Sequence, residues 1–453
     1  MERKMMQTLL EWKADPLRKA LLIKGARQVG KTYIVTEFGK RHYRNFLRLD
    51  LLKERNRSIF DVPSVNRIMM LITTAYPDFV PEKGETLLFL DEIQQCPNAE
   101  MAMKDLVLDG RMDVIGSGSL LGLHYNPPES YPVGSVREVM MHPMDFEEYL
   151  WALGVSKDNT DIIRDHVSRK EPFDPAFYRI MHDYFRQYLV VGGMPEPVKV
   201  SVETGVMGKV IEAQEMLISG YRNDIYSYSE DDIKNEVRRI FDLVPYELSR
   251  SNKRLMFTNI EDKGNVGLRE YREPIDWLGG SWFVNTVPRL RAVARPLRKN
   301  INPSMFKMYL LDTGILVQML GDETRNAMMD DDLSVNEGAV AENVVCSMLV
   351  KNGISPYYYE KNKEMEIDFI AVVGADLCAI EVKSGKNRKA ASLKKLMTSD
   401  EGKQIQRWIR FEYGNIMVSQ DGVEHYPLFC ASFVDAICPK REIGLRNAGK
   451  DGL

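Results

Sequence analysis

Eight consecutive residues, Gly25, Ala26, Arg27, Gln28, Val29, Gly30, Lys31 and Thr32, satisfy the pattern G-x-x-x-x-G-K-[ST]. They follow the apolar run ALLIK and precede YIVTEFGKRHY, which reads as a helix, so the loop sits between a strand and a helix as phosphate binding requires. Glycines let the backbone wrap a phosphate chain, amide N–H groups and the helix N-terminus point at the anion, Lys31 reaches the β- and γ-phosphates, and the Thr32 hydroxyl ligates Mg²⁺. Further on, Leu87-Leu88-Phe89-Leu90 ends in Asp91-Glu92. A strand that delivers two carboxylates to the edge where α/β sheets collect ligands puts Asp91 in position to hold Mg²⁺ and Glu92 in position to polarise an attacking water. These spacings point to ATP with Mg²⁺. Ser117-Gly118-Ser119 closes another strand and can sense a terminal phosphate, or simply turn the chain.

A second constellation lies near the C-terminus. Asp368 falls in MEIDFIA, and Glu381 and Lys383 in CAIEVKSG, two β runs joined by Gly374-Ala375-Asp376. Alternation along a strand puts Glu381 and Lys383 on one face, and the hairpin brings Asp368 beside them. Two metal-holding acids, Asp368 and Glu381, with a lysine that orients water are the minimum for Mg²⁺-dependent phosphodiester cleavage. Glu342, on a preceding helix, can complete the metal shell. An E-x-K on an exposed strand face is equally a cross-strand salt bridge.

The elements that must position these groups follow from periodicity. From Lys19 to about Ala152 near-continuous apolar strands (ALLIKG, NFLRLDL, TLLFLDE, MDVIGSG) alternate with helical stretches, which predicts an α/β layer around a parallel sheet. From Asp174 to Leu255 apolar residues recur three or four apart, predicting helices. Between Ile233 and Leu310 stand 15 Lys or Arg against 8 Asp or Glu, with Arg289, Arg291, Arg295, Arg298 and Lys299 close together, a local basic patch in a chain whose net charge is only −4. At 453 residues the chain is too long for one core, and its ordinary composition, 44% hydrophobic and 28% charged, excludes disordered and fibrous classes. Five scattered cysteines without a C-x-x-C pair fit a reducing cytosol, and no apolar run approaches the length of a membrane span or signal peptide, so a cytoplasmic protein with no membrane partner is expected.

Together GARQVGKT, FLDEIQ (similar to a Walker B box), GSGSLL, VREVMMHPMDFEEYL and YLVVGGMPEPV resemble the bacterial and archaeal predicted ATPases of the AAA+ superfamily, akin to STAND ATPases. The likeness extends to RNDI at Arg222–Ile225 and KMYLLDTGI at Lys307–Ile315. It implies that Gly193-Met194-Pro195 is a lid motif whose Pro195 touches nucleotide. Apart from the resemblance, Arg137 can supply a positive charge for the transition state in cis or across a subunit boundary, or be an ordinary surface residue. The resemblance also implies a winged-helix-like middle, with GLREYREPIDWL as second helix and VNTVPRL and KMYLLD as wing strands, although Pro274 should kink or end that helix. The C-terminal set resembles the PD-(D/E)xK restriction-endonuclease fold, with Ile367 where that pattern has proline.

The expected architecture is a P-loop core over 1–160, a helical lid over 161–232, a winged-helix-like module over 233–325 and an α/β nuclease-like domain over 326–453. The expected activity is that of a P-loop ATPase. Its output is either nucleotide-gated DNA binding or cleavage, or a signalling switch whose nuclease-like domain is inactive and recruits a protein partner or a second copy.

Overall fold

The computed structural model describes residues 1–62, 64–119, 134–229, 232–250, 253–260, 267–330, 337–361, 365–384 and 391–439. Leu120 and Leu121 of the GSGSLL segment lie outside them. The N-terminal part runs α1 (Lys4–Ala14), β1 (Ala20–Lys24), α2 (Lys31–His42), β2 (Asn45–Asp50), α3 (Glu54–Arg57), α4 (Val65–Ala75), β3 (Thr86–Asp91), α5 (Pro97–Asp109), β4 (Asp113–Gly118) and β5 (Val136–Met140). All five strands are parallel, in the order β2-β3-β4-β1-β5. Alternate residues feed opposite faces: Leu21, Ile23, Leu87 and Phe89 join one core with α2, while Leu22, Leu88 and Leu90 join another with Ile68 and Ile72 of α4 and Met103 and Leu106 of α5. Burial on both faces explains why the strands are apolar throughout, and the four expected strands and the parallel α/β layer are all present.

Helices follow: α6 (Phe146–Ala152), α7 (Lys157–Arg169), α8 (Pro175–Val191), α9 (Pro195–Thr204), α10 (Met207–Tyr228), α11 (Lys234–Ser249) and α12 (Leu268–Ser281). A capping box opens α6, with the Asp145 side chain accepting from Glu148 N–H and the Glu148 side chain from Asp145 N–H. Of the two expected effects of Pro274, a kink or an end, the end does not occur, for α12 continues through it. The proline costs the helix about 3 kcal/mol, but Tyr271, Ile275, Trp277 and Leu278 are buried around it. At about 1.5–3 kcal/mol for each large apolar side chain, that burial outweighs the break.

The wing strands also depart from expectation. After α12 come β6 (Val284–Leu290), β7 (Ile301–Leu310), α13 (Thr313–Leu320), α14 (Asp322–Met329), α15 (Glu337–Lys351), β8 (Tyr357–Lys361), β9 (Met365–Val373), β10 (Asp376–Lys383), α16 (Ala391–Met397), β11 (Arg407–Glu412), β12 (Met417–Val418) and β13 (Val423–Pro427). The antiparallel pair β6–β7 does not stand free, since Arg289 and Leu290 of β6 pair in parallel with Tyr358 and Tyr359 of β8. One sheet of eight strands results, β12-β13-β11-β10-β9-β8-β6-β7. The line expected at residue 325 therefore crosses a continuous sheet. Among the described residues no helix is long and apolar enough to cross a membrane.

Candidate functional site

The phosphate loop leaves the C-terminal end of β1 and enters α2, with Gly30 at φ 96° as the helix N-cap. Gly25 must lack a side chain, because a Cβ there would stand 2.2 Å from the Met141 carbonyl oxygen. Gln28 lies in the left-handed region at φ 65°, which turns the loop back on itself. Lys31 is buried, and its ammonium donates to the carbonyls of Gly25 (2.9 Å) and Ala26 (2.7 Å). Burial lowers its pKa to about 8 against the opposing pull of Glu92 and Asp91. A buried lysine resting on neutral carbonyls gains a stronger partner when an anion arrives.

Asp91, buried at the end of β3, accepts from the Thr32 hydroxyl at 3.1 Å and from the Ser117 hydroxyl. Its other oxygen accepts from Arg48 Nε at 2.9 Å. The oxygen donors of Thr32 and Asp91 thus stand side by side at the mouth of the loop, a hard-oxygen set that fits Mg²⁺ sharing its shell with phosphate and water. Glu92 is held at φ 58°, an uncommon conformation for a non-glycine residue that turns the chain sharply after the strand. Gln94 donates to Glu92 Oε2 at 2.6 Å and to the Ser119 hydroxyl at 3.1 Å, so the end of β4 is tied to both carboxylates, through Ser117 to Asp91 and through Gln94 to Glu92. Arg48 was not foreseen: an arginine inside NFLRLD alternates like any outward strand residue, and only the pairing of β2 with β3 reveals its target.

The helices close over the loop. A Cβ on Gly30 would stand 3.6 Å from Pro195 Cγ, so the expected lid proline does abut the phosphate loop. Arg27 forms an ion pair with Asp224 of α10, inside the RNDI segment, and its carbonyl accepts from the Tyr221 hydroxyl at 3.4 Å. Arg3, just before α1, is buried and donates to the Val29 carbonyl (2.9 Å), the His142 carbonyl (2.7 Å) and Glu148 Oε1 (3.0 Å). Arg3 carried no sequence signal beyond a charge near a helical stretch, and Asp224 was marked only by its place in RNDI, with no partner named. Of the places open to Arg137, the structure disfavours the one in cis: it pairs with Leu21, whereas Met140 pairs with Lys24 beside the loop. Three residues of strand, about 10 Å, hold its exposed side chain back from the loop of its own chain.

At the other constellation Asp368, Glu381 and Lys383 do come together on β9 and β10, but each acid already has a protein donor. Asp368 accepts from Val382 N–H at 2.8 Å. Glu381 meets Arg410 of β11 at 2.9 Å through Oε2 and Lys383 at 3.1 Å through Oε1. Glu342 on α15 is engaged by Lys253, by Lys307 at 3.5 Å and by the Tyr309 hydroxyl at 2.9 Å. Burial pushes the Glu342 carboxyl up, but Lys253 and Lys307 outweigh it and hold the pKa at about 2. Burial, then the negative charge of Glu342, raises Asp368 to about 7. Among the described residues no three His, Cys, Asp or Glu gather as a metal site. The expectation that Asp368 and Glu381 share a metal completed by Glu342 meets this physical obstacle: Arg410, Lys253 and Lys307, none of them anticipated there, already neutralise the cluster.

Of the basic residues expected to face a polyanion, Arg289 donates to the Glu360 carbonyl at 2.7 Å and Arg295 to the Ala375 carbonyl at 2.8 Å, both in the C-terminal hairpins. Arg291, Arg298 and Lys299 are exposed.

Residues 17–150 match a family model described as an AAA domain. Residues 182–326 and 337–430 match two models described as domains of unknown function, DUF8612 and DUF4143. No curated protein matches the chain. Among solved structures the chain is similar to a Walker-type ATPase of Pyrococcus abyssi, at 15% identity over 71% of this chain and 96% of that one with a TM-score of 0.42. It is also similar to the ORC1 protein of Aeropyrum pernix in complex with DNA, at 14% identity over 73% and 91% with a TM-score of 0.26. At such TM-scores neither likeness bears on what this chain binds. The AAA match and the parallel sheet make the N-terminal part an AAA-type P-loop domain.

Proposed function

We propose that the chain binds and hydrolyses ATP with Mg²⁺ and uses the cycle as a switch between its P-loop core, its helical lid and its C-terminal lobe. The observation that carries this reading is the convergence of Lys31, Thr32 and Asp91 at one mouth, with Glu92 beside them. When bound, Mg²⁺ supplies positive charge to the phosphate oxygens. Lys31 exchanges its two carbonyls for the β- and γ-phosphates, and the loop amides from Gly25 to Thr32 cradle the chain. Thr32 and Asp91 hold the cation, and Glu92, oriented by Gln94, accepts the proton of the water that attacks the terminal phosphate. Pro195 packs on the loop from the lid side.

The C-terminal lobe acts in this reading without cutting, recruiting a partner protein or a second copy. The ion pairs on Glu381 and Glu342 favour that output over cleavage. A nucleolytic output keeps one observation in its favour, the partly exposed Lys383 at 3.1 Å from Glu381 and close to Asp368. The exposed Arg291, Arg298 and Lys299 offer DNA a phosphate-binding edge in that case. The assigned extents are 1–160, 161–232, 233–325 and 326–453, with the third and fourth sharing a sheet, and the buried free thiols favour a cytoplasmic setting.

Titration of the protein with Mg²⁺-ATP and phosphate release, with and without DNA, test both outputs. Wild type should bind and turn over while Lys31→Ala does neither. DNA that stimulates turnover or is nicked in a Lys383-dependent way would favour the nucleolytic output, and lack of nucleotide binding by wild type would end the reading.

A further inference from the structure

The segment Lys307–Ile315 takes no part in the nucleotide chemistry described above, yet one of its residues reaches the lid. Asp312 is buried and stands at the N-cap of α13. Its Oδ1 accepts from Ile315 N–H at 3.1 Å, as a helix cap does, while its Oδ2 accepts from Gly193 N–H at 2.6 Å. The junction is tight. A Cβ on Gly193 would lie 1.9 Å from the Met144 carbonyl oxygen, and one on Gly314 would lie 2.5 Å from that of Val191. The close approach of α13 to the end of α8 thus exists because side chains are missing there.

Gly193 is gripped on its other side as well, its carbonyl accepting from Met144 N–H at 2.7 Å. Met144 lies three residues beyond Met141, whose N–H donates to the Lys24 carbonyl at 2.7 Å, immediately before the phosphate loop. In the forward direction a single residue, Met194, separates Gly193 from Pro195, the first residue of α9, which abuts Gly30. One carboxylate therefore joins the turn that touches the phosphate loop to the helix that follows β7, an edge strand of the C-terminal sheet. Burial pushes the Asp312 carboxyl up to about 6 against the backbone N–H groups of Gly193, Ile315 and Gly314, so the charge is retained at neutral pH by those donors.

We propose that Asp312 is a positioning residue for the nucleotide site: by holding Gly193 it sets Pro195 against the phosphate loop and makes the lid and the C-terminal lobe move as one when nucleotide binds. This rests on the nucleotide reading above.

Asp312→Asn separates the two bonds. An asparagine oxygen still caps α13, but its amide group faces Gly193 N–H, donor against donor. Fluorescent ATP titrated with Mg²⁺ into wild type, Asp312→Asn, Pro195→Ala and the double variant should show about tenfold weaker binding for Asp312→Asn, the size expected for one lost hydrogen bond to a charged group. The double variant should lose less than the product of the two single losses, because both act through the same turn. Equal affinity of Asp312→Asn and wild type, or independent multiplicative losses, would overturn the proposal. Hydrogen exchange on unmodified protein gives a second test: peptides 188–198 and 307–317 should gain protection together on adding Mg²⁺-ATP. Protection of the first without the second would overturn it too. Absence of binding by wild type would remove the nucleotide reading itself, an outcome separate from a variant that binds normally.

Discussion

The two constellations share an ingredient list of carboxylates and a lysine, but they differ in what those charges already hold. At the phosphate loop Lys31 rests on two neutral carbonyls, and Asp91 meets two hydroxyls and a partly exposed arginine. At β9–β10, Glu381 and Glu342 face Arg410, Lys253 and Lys307, all buried or nearly so. Weak partners are replaced readily by phosphate and a cation. Strong buried pairs are not, since breaking one leaves a charge without compensation. Residue types alone do not separate a reactive site from a structural one; the strength of the resident partners does.

Glu92→Gln should lower ATP turnover by roughly two to four orders of magnitude, the usual share of a general base, while a calorimetric titration finds nucleotide affinity little changed. A turnover loss under about threefold would remove Glu92 from the chemistry. Arg410→Ala should destabilise the C-terminal lobe by about 3–5 kcal/mol in urea unfolding, because Glu381 would be left buried without its main partner. A stability change near zero would mean that the cluster is as exchangeable as the phosphate loop.

The folded Lys31 pKa, about 8, lies below its free value of 10.5. Between those values the unfolded chain binds more protons, so this group makes the free protein more stable as pH rises across that window. Nucleotide affinity should run the other way, weakening by up to about tenfold per pH unit above 8 as the ammonium is lost. Lys31→Met should flatten both slopes, and a wild-type affinity flat from pH 7 to 9.5 would contradict the assignment. The smallest effect is that of Lys383→Ala, whose partly exposed pair should contribute under about 1 kcal/mol. Mg²⁺-dependent DNA nicking that vanishes in this variant would overturn the contrast between the two regions.

Much of the N-terminal site was legible. The strands ALLIK and TLLFLD advertise burial on both faces, and the loop's eight residues are consecutive, so local sequence is the site. Locally Pro274 signals a helix end, but the burial of Tyr271, Trp277 and Leu278 beside it carries α12 past the proline. The wing strands misled because β6 and β7 do form a hairpin, and nothing local distinguishes a free hairpin from one that extends a neighbouring sheet through two residues of β8. Arg3 and Arg48 look like ordinary charges on amphipathic stretches, Asp224 and Asp312 are marked only by their places in RNDI and KMYLLDTGI, and the partners of the four lie 26, 43, 197 and 119 residues away.

The amino-acid order alone determined where a phosphate chain can be wrapped and which strand ends carry carboxylates, because those features depend on neighbours within a few residues and on the two-residue period of a strand. Only the tertiary structure decided which of those charges are already neutralised, where the second sheet ends, and that a single aspartate ties the lid to the helix after β7. The physical reason is that electrostatic pairing and sheet extension depend on distance in space, which chain separation does not encode.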